Sequence, residues 1–184
     1  MRVIVGISGG SGAIYGVALL KVLKEMDIET HLVISRMGEQ VTEHECGVTL
    51  DELKDLATYW HDNNNLAAPI ASGSFRADAM IVVPCSMKTV SSIANGYSDS
   101  LLTRAADVII KENRKLVIIP RETPLSVIHL ENMLKLAKIG VTVLPAAPGF
   151  YNHPESITDL VASIVGRALD QIGIENNLIK RWGE

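Results

Sequence analysis

Five short runs rich in Val, Ile and Leu, at residues 2–7, 30–34, 79–83, 116–119 and 141–144, alternate with segments of helical period. The helical segments are 12–26, 36–45, 50–57, 87–112, 124–139 and 154–173. Runs this apolar suit strands covered on both faces, and strand–helix alternation joins such strands in parallel through right-handed crossovers. The expected fold is α/β: a three-layer α/β/α doubly wound parallel sheet of Rossmann type, with the flavodoxin-like strand order favoured. Such sheets take ligands beyond the carboxyl ends of their strands, where the strand order reverses. With 184 residues, the chain is long enough to bury a core and reads as one domain, 1–184.

Four of the five strands run into unusual loops. Ser8-Gly9-Gly10-Ser11-Gly12 follows the first, Pro84-Cys85-Ser86-Met87-Lys88-Thr89 the third, Pro120-Arg121-Glu122-Thr123-Pro124 the fourth, and Pro145 to Tyr151 the fifth. In the expected sheet these loops meet on one edge. The first opens a helix with Gly10-Ser11-Gly12 and then Gly16, a G-x-G-x-x-x-G pattern that departs from the dinucleotide fingerprint. The second strand ends in Ser35-Arg36, with no carboxylate for a ribose hydroxyl, which leaves NADP open through Arg36. Either this loop is a tight turn with glycine for packing, or its backbone N–H groups and Ser11 hold an anion at the helix N-terminus.

Ser86, Lys88 and Thr89 read as a second anion cradle or as a plain helix cap. Cys85 reads as a small buried residue beside proline. Arg104 and Lys111 stand seven residues apart in "LLTRAADVIIKENRK" and share a helix face. "PRETP" presents a donor fork beside a carboxylate. His129 reads as a hydrogen-bonded helix histidine. Residues 62–75, "DNNNLAAPIASGSF", read as a loop.

Charge and composition exclude several classes. A net charge of −4 argues against a nucleic-acid partner, which would normally demand a basic face. No apolar run approaches the ~20 residues of a membrane span, and no cleavage-site pattern follows the first strand. Two cysteines, Cys46 and Cys85, fit a reducing, cytoplasmic setting. His31, His44, His61 and His153 are scattered, so no metal site is expected.

Taken together, "GISGGSGAIYG", "ASGSF", "VPCSMKT", "LLTRAADVIIKENR", "PRETPLSVIHLENMLKL", "PAAPGFYNHP" and "RWGE" resemble the UbiX-type flavin prenyltransferases over essentially the whole length. The resemblance implies a homo-oligomer, typically a dodecamer, that binds FMN. It implies a metal-independent transferase that moves a dimethylallyl group from dimethylallyl phosphate to N5 and C6 of reduced FMN, releasing phosphate. The prenylated FMN would serve a UbiD-type decarboxylase. Carried over, FMN contacts fall on Gly10, Ser11, Gly12, Ser35, Ser86, Met87, Lys88, Thr89 and Arg121. Lys111, Tyr151 and Arg167 would hold the prenyl phosphate, with Arg104 nearby. Glu122 would be the acid/base residue, with Ser11 as relay and Glu45 as a further polar contact. Tyr151, Arg167 and Trp182 would come from neighbouring subunits, which the tail, about residues 174–184, would contact. Leu66 stands where some relatives carry Trp, and Gly10 where Ala is commoner.

Two rival readings share this fold. One is an FMN-binding decarboxylase acting on cysteine, whose relatives carry an Asn-containing stretch in place of "PCSMKT" and an active His near the position of His44. The other is a non-catalytic flavin-binding subunit of an aromatic acid decarboxylase.

Overall fold

The computed structural model describes residues 1–179, 181 and 183. Its strands β1 (Arg2–Ile7), β2 (Glu29–Ile34), β3 (Tyr59–Asp62), β4 (Ala79–Cys85), β5 (Lys115–Pro120) and β6 (Thr142–Val143) pair in parallel in the order β3-β2-β1-β4-β5-β6. The helices are α1 (Ala13–Glu25), α2 (Arg36–Cys46), α3 (Leu50–Leu56), α4 (Met87–Ala94), α5 (Leu101–Lys111), α6 (Val127–Lys138) and α7 (Ile157–Ile172).

The two-residue alternation of the strands divides the core in two. Val3, Val5, Ile7, Ile81, Val83 and Val117 pack with Leu20 of α1, Leu53 of α3 and Val165 of α7. Ile4, Val33, Met80, Val82 and Ile118 pack with Val90 of α4, Leu102 of α5 and Leu136 of α6. These clusters are the two interfaces of the three-layer sandwich. The five strands read from the sequence lie in the flavodoxin-like order, β2-β1-β4-β5-β6, and β3 is added outside β2. The full order is thus also that of the six-stranded doubly wound sheet, and both arrangements reverse between β1 and β4. There α1 lies so close to the sheet that a Cβ on Gly16 would stand 2.7 Å from the Val83 carbonyl oxygen. Only glycine tolerates that approach.

One expectation needs correction, and one strand is added before the expected loop. The helical segment 87–112 is two helices: α4 ends at Ala94, Gly96 turns the chain at φ 65°, and Ser100 opens α5 through a reciprocal cap with Thr103. The stretch 62–75 follows a strand, β3, that has no period of its own and presents mostly exposed residues. Side-chain chemistry helps to hold it. His31 of β2, 4% exposed, has Nδ1 2.9 Å from Nε2 of His61, and its own Nε2 lies 3.0 Å from Glu29 Oε1. An ionised Glu29 can only accept, so His31 donates from Nε2 and receives the His61 proton at Nδ1. Tyr59 and Phe75 enclose the His31 ring, and Glu29 also accepts from Arg2 Nε.

Burial pushes the His31 imidazole below its ordinary value, although Glu29 opposes this, and burial with the neighbouring His31 does the same to His61. The unfolded chain therefore takes up these protons first, near pH 6.5. Stability is full above that pH and falls as the pH drops below it, by at most about 1.4 kcal/mol per pH unit for each group. Thermal unfolding between pH 7.5 and 5.5 should show this loss, and His61→Gln should make the slope shallower.

Candidate active site

The loops leaving β1, β4, β5 and β6 are joined to one another by hydrogen bonds. Ser8, buried at the end of β1, donates its backbone N–H (3.1 Å) and its hydroxyl (2.9 Å) to the Pro84 carbonyl, and its Oγ accepts from the Ser86 N–H at 2.7 Å. Arg121 donates from Nε to the Ser11 carbonyl at 3.1 Å, and the Ala146 N–H donates to the Pro120 carbonyl at 3.0 Å. The Ser35 N–H donates to the Ile7 carbonyl at 2.9 Å. Gly10, Ser11, Gly12, Ser35, Ser86, Met87, Lys88, Thr89 and Arg121 are thereby gathered around the point where the strand order reverses.

Two helices present capped N-termini here. Ser86 caps α4 by accepting from the Thr89 N–H, and the N–H groups of Met87 and Lys88 remain as first-turn donors. Ser35 caps α2 by accepting from the Gly38 N–H at 3.0 Å. Helix α1 differs: the residue at its N-cap position, Gly12, has φ 99°, a left-handed conformation that favours glycine, and no side chain to cap with. The cap comes from α2, where Glu45 Oε2 accepts from the N–H groups of Gly12 (2.8 Å) and Ala13 (2.9 Å). Two donors expected to serve an external anion thus hold a carboxylate of the chain itself. Burial raises the Glu45 carboxyl, but hydrogen bonds from Ser11, Gly12 and Ala13 and the charge of Arg121 outweigh it, and the group lies below its ordinary value.

Gly10 leaves room for the commoner Ala, since an added Cβ would meet Pro84 and Ser86 at 3.5 Å, an ordinary contact. Lys88 is exposed, with Nζ 3.5 Å from Asp99. Cys85 is fully buried and burial pushes its thiol far up, which fits a packing role. His129 closes a reciprocal cap with Ser126 at the start of α6. Glu122 is exposed and accepts from the Thr123 N–H at 3.0 Å; among the described residues it makes no ion pair with Arg121, which turns back to Ser11.

The residues assigned to the prenyl phosphate do not come together in one chain. Tyr151 and Arg167 line a cleft of about 310 Å³ with Leu144, Pro145 and Ser163. Arg104 and Lys111 share a face of α5, as their spacing implies. Arg104 donates from Nε to the Ala71 carbonyl, and Lys111 pairs with Glu112 beside Gly73. Lys111 closes α5 just before β5 begins, whereas Glu122 follows the end of β5. A strand of that length spans roughly 20 Å, so Lys111 and Glu122 lie at opposite edges of the sheet. Leu66 is exposed in the turn after β3, and Trp182 lies outside the described residues. Ser8 and Asn63 were not singled out from the sequence. The Asn63 backbone carbonyl and Oδ1 accept from the N–H groups of Leu101 and Leu102 at the start of α5. Both are polar residues directly after a strand, which is the signal that marks them.

The chain matches the Flavoprotein family over residues 1–169. It is 52% identical to a probable UbiX-like flavin prenyltransferase of Escherichia coli O157:H7, covering 99% of this chain and 93% of that protein. It is 50% identical to the flavin prenyltransferase UbiX of Methanocaldococcus jannaschii, covering 100% and 99%. The chain belongs to the UbiX-like flavin prenyltransferases. Among solved structures, a dodecameric FMN-dependent UbiX-like decarboxylase from Escherichia coli O157:H7 superposes with a TM-score of 0.98 at 51% identity, over 100% of both chains. AnUbiX in complex with FMN and dimethylallyl pyrophosphate superposes at 0.97 with 45% identity, over 100% of this chain and 97% of its own. The peptidyl-cysteine decarboxylase EpiD, at 20% identity and a TM-score of 0.68, shares the fold. Among the described residues no helix is long and apolar enough to cross a membrane, and no three His, Cys, Asp or Glu side chains gather as a metal set.

Glu45 supplies the cap that Gly12 lacks, so Glu45→Ala should lower stability by about 1 kcal/mol at pH 7, the usual worth of a helix cap. Because the carboxyl is lowered in the folded chain, this advantage is present above about pH 4.5 and lost as the pH falls through the folded value. Paired thermal melts of wild type and variant at pH 7 and pH 4 measure it.

Proposed function

We propose that this chain transfers a dimethylallyl group from dimethylallyl phosphate to N5 and C6 of reduced FMN, releasing phosphate. The observation that carries this reading is the hydrogen-bonded convergence of the β1, β4 and β5 loops where the strand order reverses, in a chain about half identical to flavin prenyltransferases. The donor set fits an anionic flavin: first-turn N–H groups at Met87 and Lys88, the hydroxyls of Ser11, Ser35 and Thr89, and the Arg121 guanidinium. Reduced FMN, when bound, supplies the nucleophilic atoms.

The chain's own residues do the rest electrostatically. Breaking an allylic C–O bond leaves a phosphate and an allylic cation. Lys111 and Arg167 hold the phosphate and meet its charge as it grows, and preorganised donors of this kind contribute about 3–4 kcal/mol each. Tyr151 turns an aromatic face to the cation, worth roughly 1–2 kcal/mol. The Glu122 carboxylate accepts the proton that ring closure releases, and the Ser11 hydroxyl relays it.

Because Lys111 and Arg167 stand apart within one chain, the complete site in this proposal forms between copies. One copy gives the Glu122 edge and others give the remaining cations, with the tail, about 174–184, reaching a neighbour. The dodecamer named for the Escherichia coli relative supports this, as do the exposed apolar side chains Leu125, Val127 and Ile128 just beyond Glu122. A homododecamer, delivery of the product to a UbiD-type decarboxylase, and a cytoplasmic setting supported by the free thiols Cys46 and Cys85 belong to the same proposal.

Mixing tests it. Lys111→Ala and Arg167→Ala oligomers should each lose prenyl transfer while still binding FMN. Unfolded and refolded together, they should regain roughly a quarter of wild-type activity, the share of sites drawing both residues from intact copies. No recovery would place both residues in one copy's site.

A further inference from the structure

We infer that the Ser8 hydroxyl is a positioning residue that fixes the N-terminus of α4 against the β1 loop and so sets the flavin-binding edge. The inference rests on the flavin reading above.

Ser8 is 1% exposed, and its hydroxyl both donates and accepts: it donates to the Pro84 carbonyl at 2.9 Å and accepts from the Ser86 N–H at 2.7 Å. Ser86 in turn accepts from the Thr89 N–H, so the hold on Ser86 fixes where the N–H groups of Met87 and Lys88 point. No other hydrogen bond in the described residues ties the Ser86 backbone to the β1 loop. The link is separable from the fold. The Ser8 backbone N–H makes its own bond to Pro84, and β1 pairs with β4 through Gly6, so losing the hydroxyl leaves the strands in register and frees only the α4 cap. The two loops are also in contact, with Ser86 N and Cα 3.5 Å from where a Gly10 Cβ would lie. A small shift of Ser86 therefore alters both sides of the edge together.

The test is FMN titration of wild type, Ser8→Thr and Ser8→Val, followed by flavin fluorescence and the visible flavin bands, with thermal melts of the same proteins without flavin. Thr and Val share a shape and differ by the hydroxyl. Ser8→Thr should bind FMN within about twofold of wild type and Ser8→Val about tenfold or more weakly, because the part-buried Ser86 N–H loses its partner and the α4 cap is freed. Ser8→Val that melts lower but binds FMN like wild type would overturn the inference and leave Ser8 a structural residue. Wild type that binds no FMN would overturn the flavin reading and this inference with it. If Ser8→Val does not fold, amide exchange of wild-type Ser86 decides: exchange as slow as that of β4 supports the clamp, and exchange at the rate of an exposed loop overturns it.

Discussion

The edge that carries the proposed site depends on how closely β1 and β4 bring together the helices that follow them. Gly16 lets α1 rest against the Val83 carbonyl, and the Ser8 hydroxyl bonds both Pro84 and Ser86 across the gap. With those contacts made, the N-termini of α1 and α4 open side by side, and the remaining loops have a fixed frame to attach to. Arg121 reaches Ser11 from β5, and the β6 loop attaches to Pro120. In the proposed flavin site the backbone donors left to a ligand are the first-turn N–H groups of α4, since Glu45 already accepts from those of Gly12 and Ala13.

Charge at this edge is balanced within the chain. The N-terminus of α1 would be an uncapped positive pole, since Gly12 has no side chain to offer, and Glu45 neutralises it from α2. The cations Arg104 and Lys111 are kept at a distance on α5, each engaged with a carbonyl or carboxylate nearby. In the proposed site one chain thus carries the flavin edge and the α5 cations on separate surfaces, and assembly of several copies would bring the two together.

Much of this was legible in the sequence wherever the signal is local. The run "VIVGI" before a Gly/Ser loop marks the end of β1, and Pro84, Pro120 and Pro145 lie at or within two residues of the ends of β4, β5 and β6. Strand β3 was not legible, because "YWHD" has no period and its docking draws on a histidine 30 residues earlier in the chain. The division of 87–112 was written locally in "NGYSDS", but the helical residues on either side outweighed it. Glu45 was singled out only through the resemblance. Its role as cap to a helix 32 residues away arises from the packing of α2 against α1, which no local pattern encodes. The separation of Lys111 from Glu122 follows from one topological fact: a helix that precedes a parallel strand ends at that strand's beginning, opposite the edge where the proposed flavin site lies.

In the proposed function the edge formed by these loops holds reduced FMN as a prenyl acceptor. The direct measurement is anaerobic incubation of the protein with reduced FMN and dimethylallyl phosphate, followed by mass spectrometry of the released flavin. Prenyl transfer yields a flavin heavier by one dimethylallyl unit, with phosphate set free in equal amount. Flavin recovered at its original mass, from protein that had bound it, would rule out that role.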